Sequence, residues 1–287
     1  MKDIIIDTLL DALKLLPFLF VTYLAMEFIE HRAGEKMKHA IQRAGRLGPL
    51  WGSFLGLVPQ CGFSAAASGL YAGRVITLGT LIAVYLSTSD EMLPILISEQ
   101  VSPVIIIKIL TVKVLAGMAG GFLIELIGFL RTHGHDEQDI QISEKICHGH
   151  CHCDESILRS ALEHTFQIML FILAITLVLN ISVGLLGTEF LHDAILGRPV
   201  VGELISAAIG LIPNCGASVA ITQLYIEGAM STGAMISGLL TSAGVGLIVL
   251  FRVNSPQKEN ISIVAILYVL GAGIGILLDL AGLVIYG

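Results

Sequence analysis

Long apolar runs separated by short polar ones fill almost the whole chain. Residues 4–31, 75–98, 103–131, 157–186, 229–252 and 260–285 each read as a helix. Each is long enough to cross a bilayer, which takes roughly 20 apolar residues. The stretch 75–98 is interrupted by Ser87-Thr88-Ser89-Asp90-Glu91. Two further apolar stretches, 48–73 and 199–227, carry polar groups at their centres. Three polar segments punctuate the pattern: a basic amphipathic one at 32–46, a central loop at 132–156, and a short one with Glu189, His192 and Asp193.

The two interrupted stretches are copies of one motif. Gly56-Leu57-Val58-Pro59-Gln60-Cys61-Gly62-Phe63-Ser64 recurs as Gly210-Leu211-Ile212-Pro213-Asn214-Cys215-Gly216-Ala217-Ser218, 154 residues later. The register continues without a gap through Tyr71 over Tyr225, Thr77 over Ser231, Gly79 over Gly233, and Ser87-Thr88 over Thr241-Ser242. A match this long marks an internal duplication. Pro, an amide, a thiol, Gly and Ser inside an apolar stretch are the pattern of a broken membrane helix.

Composition agrees with this pattern. The chain is 55% hydrophobic and 14% charged, against about 25% charged in soluble domains, and its mean hydropathy is +0.85. The reading is an all-α polytopic membrane protein. The net charge of −7 and the lack of basic clusters interleaved with aromatics exclude nucleic acid as a partner. Met1-Lys2-Asp3-Ile4 lacks a signal-peptide pattern, so the first helix is expected to be retained.

Positive charge chooses between two topologies. If each motif stretch crossed the membrane, Arg74, Arg131, Lys145 and Arg159 would lie outside while residues 32–46 lay inside. If each is a re-entrant hairpin bent at its Pro, these residues join Arg32, Lys36, Lys38, Arg43, Arg46, Arg252 and Lys258 in the cytoplasm. The positive-inside rule prefers the hairpins. Each half then has three transmembrane helices plus one re-entrant broken-helix hairpin, and the odd number of spans makes the halves an inverted repeat. The expected units are a first repeat at 1–131, a cytoplasmic linker at 132–156, and a second repeat at 157–287. The chain is expected to be multi-pass in the cell inner membrane.

The chemistry concentrates at the two hairpin tips. A half-helix is expected to begin at Cys61-Gly62 and at Cys215-Gly216, with its free amides and positive dipole end facing a cavity. Gln60 and Asn214 supply amide groups, and Ser64 and Ser218 lie one turn in. Paired Cys61 and Cys215 would make a soft site for thiophilic ions, although a small buried Cys also simply packs. Ser87, Thr88, Asp90 and Glu91 add an unwound stretch with two carboxylates. Asp90 aligns with Gly244 and Glu91 with Val245, so only the first half carries them. An intramembrane carboxylate is a ligand or proton carrier by default; a helix end near the outer surface is the bland alternative. Glu27, Glu30 and His31 share one face of the first helix, and Glu163 and His164 sit early in the helix at 157–186. These are coupling candidates, with an interfacial polar edge as the plain alternative.

Three of the five cysteines fall in the central loop, where Cys147-His148-Gly149-His150-Cys151-His152-Cys153-Asp154 follows His133 and His135. The spacing matches no zinc finger, and the cytoplasm keeps such thiols reduced. Density alone argues for a transition-metal ion on this linker, in a capturing or sensing role. No tightly bound cofactor is expected elsewhere.

The duplicated motif, Met26-Glu27-Phe28-Ile29-Glu30-His31, the Ser87–Glu91 stretch and the His-rich loop together resemble the ten-transmembrane heavy-metal exporter family, also labelled arsenic efflux proteins and manganese transporters. The likeness extends over essentially the whole chain. Six spans plus four half-spans match the ten segments of the label. The resemblance implies a transporter, not an enzyme, that exports a metal or metalloid ion, arsenite-like or a divalent transition metal. Alternating access with proton coupling is expected. Cys61 and Cys215 favour a soft species; Asp90, Glu91, Gln60 and Asn214 suit manganese. Partners are the ion and the lipid bilayer, with a homodimer left open. A membrane thiol-redox enzyme and a metal sensor using the loop are the alternatives.

Overall fold

The computed structural model describes residues 16–17, 20–21, 24, 47–58, 61–89, 92–132, 162, 165–166, 169–170, 200–213, 215–226 and 228–282. Most of the expected helix at 4–31, the basic segment, nearly all of the central linker and most of the helix at 157–186 lie outside them. Among the described residues the fold is all-helical. The first half contributes α1 (Gly48–Gly56), α2 (Cys61–Ala72), α3 (Leu78–Ser87), α4 (Met92–Ser98) and α5 (Pro103–Thr132). The second contributes α6 (Val201–Gly210), α7 (Cys215–Ile226), α8 (Thr232–Thr241), α9 (Val245–Val253) and α10 (Gln257–Leu280).

The 154-residue register extends further than the motif. α2 and α7 match end to end, as do α3 and α8, and α5 and α10 begin in register at Pro103 and Gln257. The local chemistry recurs with it. Thr77 caps α3 by accepting from the Thr80 amide at 3.2 Å, and Ser231 caps α8 by accepting from Ala234 at 3.1 Å, which satisfies otherwise orphaned donors. α2 ends in a left-handed residue, Arg74 at φ 58°, and α7 in Gly228 at φ 73°. In both, the next amide (Val75, Ala229) returns to a carbonyl five residues back at 2.9 Å, closing the helix end.

Both long central segments are broken. α3 stops at Ser87 and α4 begins at Met92, as the polar stretch predicts. The segment at 229–252, expected as one continuous helix, is a second break: α8 stops at Thr241 and α9 starts at Val245. Gly244 makes this turn, at φ 53° and ψ −137°, a conformation open essentially to glycine alone. Hydropathy hid it, because Thr232–Val253 is strongly apolar on average, with a mean hydropathy of 2.1.

Helices approach closely through small residues. α1 presents Gly48, Gly52 and Gly56 to Thr80, Val84 and Ser87 of α3. A Cβ on Gly121 of α5 would lie 2.6 Å from the Gly79 carbonyl of α3. One on Gly275 of α10 would lie 2.5 Å from the Gly233 carbonyl of α8. Small-residue seams of this kind are how helices pack where lipid removes the hydrophobic drive between them.

The contacts follow the repeat as well. α1 packs on α3 and α3 on α5, as α6 packs on α8 and α8 on α10. α2 packs on α9 of the second half, while α7 packs on α4 of the first. One core joins the halves through Leu81, Ile82 and Tyr85 of α3 with Met235, Ile236 and Leu239 of α8. Nearly all residues of the α8–α9 unit are buried, against a minority of those in α5 and α10. α5 and α10 turn Val104, Ile107, Leu115, Phe129, Ile261, Val269 and Leu277 outward, an apolar surface suited to lipid.

Candidate functional site

The motif helices start where the sequence places them, α2 at Cys61 and α7 at Cys215. Each motif is therefore shared between two short helices: α1 and α2, then α6 and α7. At nine to twelve residues, none of the four spans a bilayer alone. Gly62 is buried, and Ser64 and Ser218 are 0% and 4% exposed. The side chains of Cys61 and Cys215 and the burial of Gly216 lie outside the described part, as do Gln60, Asn214, Asp90 and Glu91 entirely. The same holds for Glu27, Glu30, His31, Glu163, His164, and the linker residues His133, His135, Cys147, His148, His150, Cys151, His152 and Cys153. Among the described residues no three His, Cys, Asp or Glu groups converge.

Around Ser64 the two halves interlock. Gly246 of α9 packs on it: a Cβ there would lie 2.8 Å from the Ser64 Cβ and 2.9 Å from its carbonyl oxygen. One turn further along α2, the buried Ser68 hydroxyl lies 2.6 Å from the Tyr85 hydroxyl of α3. It is also 2.7 Å from the carbonyls of Ser64 and Gly246. Tyr85, fully buried, also reaches the Gly246 carbonyl at 3.2 Å. On the other side, Thr222 donates to the Ser218 carbonyl at 2.7 Å, repeating the Ser68–Ser64 bond.

At the broken end of α3, Ser87 donates to the Ala83 carbonyl and Thr88 to the Val84 carbonyl, both at 2.8 Å. These hydroxyls tidy the helix end and keep lone pairs for other uses. Between this end and α8 stands Lys113 of α5, 1% exposed. Its ammonium donates to the Thr88 carbonyl and, at 3.1 Å, to the Leu239 carbonyl. The sequence shows Lys113 only as a charge inside an apolar helix; what it touches is tertiary.

Carboxylates flank the starts of α3 and α8. Glu125 accepts from the Thr77 hydroxyl at 2.7 Å, and Asp279 accepts from the Gly233 amide at 2.6 Å. Glu125 and Asp279 are again 154 residues apart, a signal that following the register past Ser242 would have found. Glu203 of α6, 1% exposed, feels the charge of Asp279. Beyond α2, Arg74 grips Glu259 of α10 with both nitrogens, at 2.7 and 2.9 Å. Tyr71 donates to the same carboxylate, and the guanidinium lies 5.2 Å from the Tyr71 ring centre. Hydrogen bonding to Glu259 holds Arg74 above even its usual basicity.

No curated protein and no solved structure matched the chain. Over residues 1–184, most of its length, it matches a family described as "Putative, 10TM heavy-metal exporter". With its all-helical build and its apolar helices long enough to cross a membrane, the chain belongs to that family of membrane transporters.

Proposed function

We propose that this protein is a secondary transporter that exports a metal or metalloid ion from the cell by alternating access, coupled to protons. The halves 1–131 and 157–287 are inverted, their hairpins enter from opposite faces, and the linker 132–156 is cytoplasmic. The ion binds between the tips, to Cys61 and Cys215 with Gln60, Asn214, Ser64 and Ser218. Asp90 and Glu91 are the further candidates for ion ligand or proton carrier.

One observation carries this reading. Among the described residues every major helix contact within one half has a counterpart 154 residues on, and each motif helix packs against the other half's post-break helix. A chain built so has two halves of like framework that can exchange conformations. That exchange is what alternating access in a repeat transporter requires. Two broken helices in the core add irregular backbone, which is tolerated at membrane depth only when buried or lining a cavity. Membership in an exporter family favours transport over a thiol-redox enzyme or a sensor.

The test is elemental accumulation in cells expressing the wild type against Cys61→Ala/Cys215→Ala, with arsenite, manganese, zinc, nickel and cobalt read by mass spectrometry. Wild type is expected to lower one element and the double variant to restore it. A fall in manganese that survives the double variant moves the site to Asp90 and Glu91. If no element changes, export is wrong.

A further inference from the structure

We infer that Lys113 is a tethered cation: its ammonium fills, between the broken ends of α3 and α8, a position that a free monovalent cation would otherwise occupy. The argument starts from the carbonyls. Thr88 is the residue that closes α3, and Leu239 lies in the last turn of α8. The last carbonyls of a helix lack intrahelical partners, and each helix end carries about half a negative charge. Two such ends meet inside the core. Water is not at hand to satisfy them, since Ser87, Thr88, Leu239, Leu240 and Thr241 are all 3% exposed or less.

Backbone carbonyls at half-helix ends are what hold co-transported cations in broken-helix transporters. Here the protein supplies the charge itself. Lys113 reaches both carbonyls from α5, the helix that packs most closely along α3. Its stem is buried with Ile109 of its own helix, so the ammonium is delivered at a fixed place. The register makes the device one-sided. Lys113 corresponds to Leu267, fully buried in α10, so the matching position of the second half holds a hydrocarbon.

Two consequences follow. The broken end of α3, two residues before Asp90, has the Lys113 Nζ beside it. In addition, no inorganic cation is needed there for the break to be stable. The second consequence goes beyond the exporter reading and is measurable without it.

The experiment is thermal unfolding of the detergent-solubilised full chain, with sodium, ammonium or methylammonium chloride against N-methylglucamine chloride at equal ionic strength. Wild type is expected to melt at one temperature in all four. Lys113→Ala is expected to melt lower in N-methylglucamine and to regain roughly 3–8 °C at saturating small cation. Lys113→Met, whose stem fills the space without a donor, is expected to melt low and respond to none. A Lys113→Ala protein indifferent to small cations, or a Lys113→Met protein as stable as wild type, overturns the inference. If Lys113→Ala folds too poorly to melt, its folded yield in sodium against N-methylglucamine decides the same point in the same direction. Where export is measurable, wild-type export is expected to be unchanged on replacing sodium, and Lys113→Ala export to require a small cation. This last arm rests on the exporter reading, whereas the melting arms stand without it.

Discussion

At the scale of single residues, the molecule depends on atoms that close gaps between the halves. Gly246 is the clearest case, because α9 rests on the Ser64 backbone only where no Cβ intervenes. Gly246→Ala forces the pair apart, and overpacking of this kind costs about 1–3 kcal/mol. Gly273 of α10 has open space around its Cβ position and is the control. The expected result is a lower melting temperature for Gly246→Ala and none for Gly273→Ala; equal melting would remove this contact from the account. Tyr85→Phe is expected to cost about 1 kcal/mol, the usual net worth of a buried hydrogen bond. None of this was legible in the chain. Gly246 aligns with Met92, so the register gives no hint of it, and Ser68 and Tyr85 look like ordinary members of apolar helices.

At the scale of elements, the loop after α2 is unlike its copy. Arg74 holds a left-handed φ that its counterpart Gly228 adopts freely. A non-glycine residue there costs about 1–2 kcal/mol, and the two-pronged grip on Glu259 offsets it. That grip ties the end of α2, in the first half, to the start of α10, in the second. The position matching Glu259 is Ile105, so this latch has no copy at the other end. Arg74→Gly relieves the backbone and loses the latch, whereas Glu259→Gln loses the latch and keeps the strain. A double-mutant cycle on melting is expected to give a coupling of about 1 kcal/mol, the upper end for a partly exposed pair, raised by its bidentate geometry. Additive effects would mean the grip holds nothing. The element starts at Cys61 and Cys215 and the break at Ser87 were legible, because Pro, Gly and consecutive hydroxyls act locally. The break at Gly244 was not, because a single glycine in an apolar run has many uses.

At the scale of the whole molecule, the proposed inversion of the halves predicts that corresponding turns of the two halves face opposite sides. Glu99 and Ser255, though 156 residues apart and so not register mates, are exposed in the corresponding turns α4–α5 and α9–α10. In a background with all five cysteines replaced by Ser, Glu99→Cys is expected to react with an impermeant maleimide in intact cells. Ser255→Cys is expected to react only after permeabilisation. Glu99→Cys protected in intact cells and labelled after permeabilisation would mean the first motif stretch crosses the membrane, contrary to the positive-inside argument.

The sequence by itself determined the membrane class, the duplication, its 154-residue register and the polar tips, because hydropathy, repetition and Pro-Gly chemistry are written locally along a chain. Only the tertiary structure decided which helix meets which: α2 against α9, α7 against α4, Lys113 between two helix ends, Arg74 on Glu259. Those pairings join residues about 25 to nearly 200 positions apart. They are selected by close packing of small residues and by the need to satisfy buried carbonyls, neither of which leaves a periodic trace in the chain.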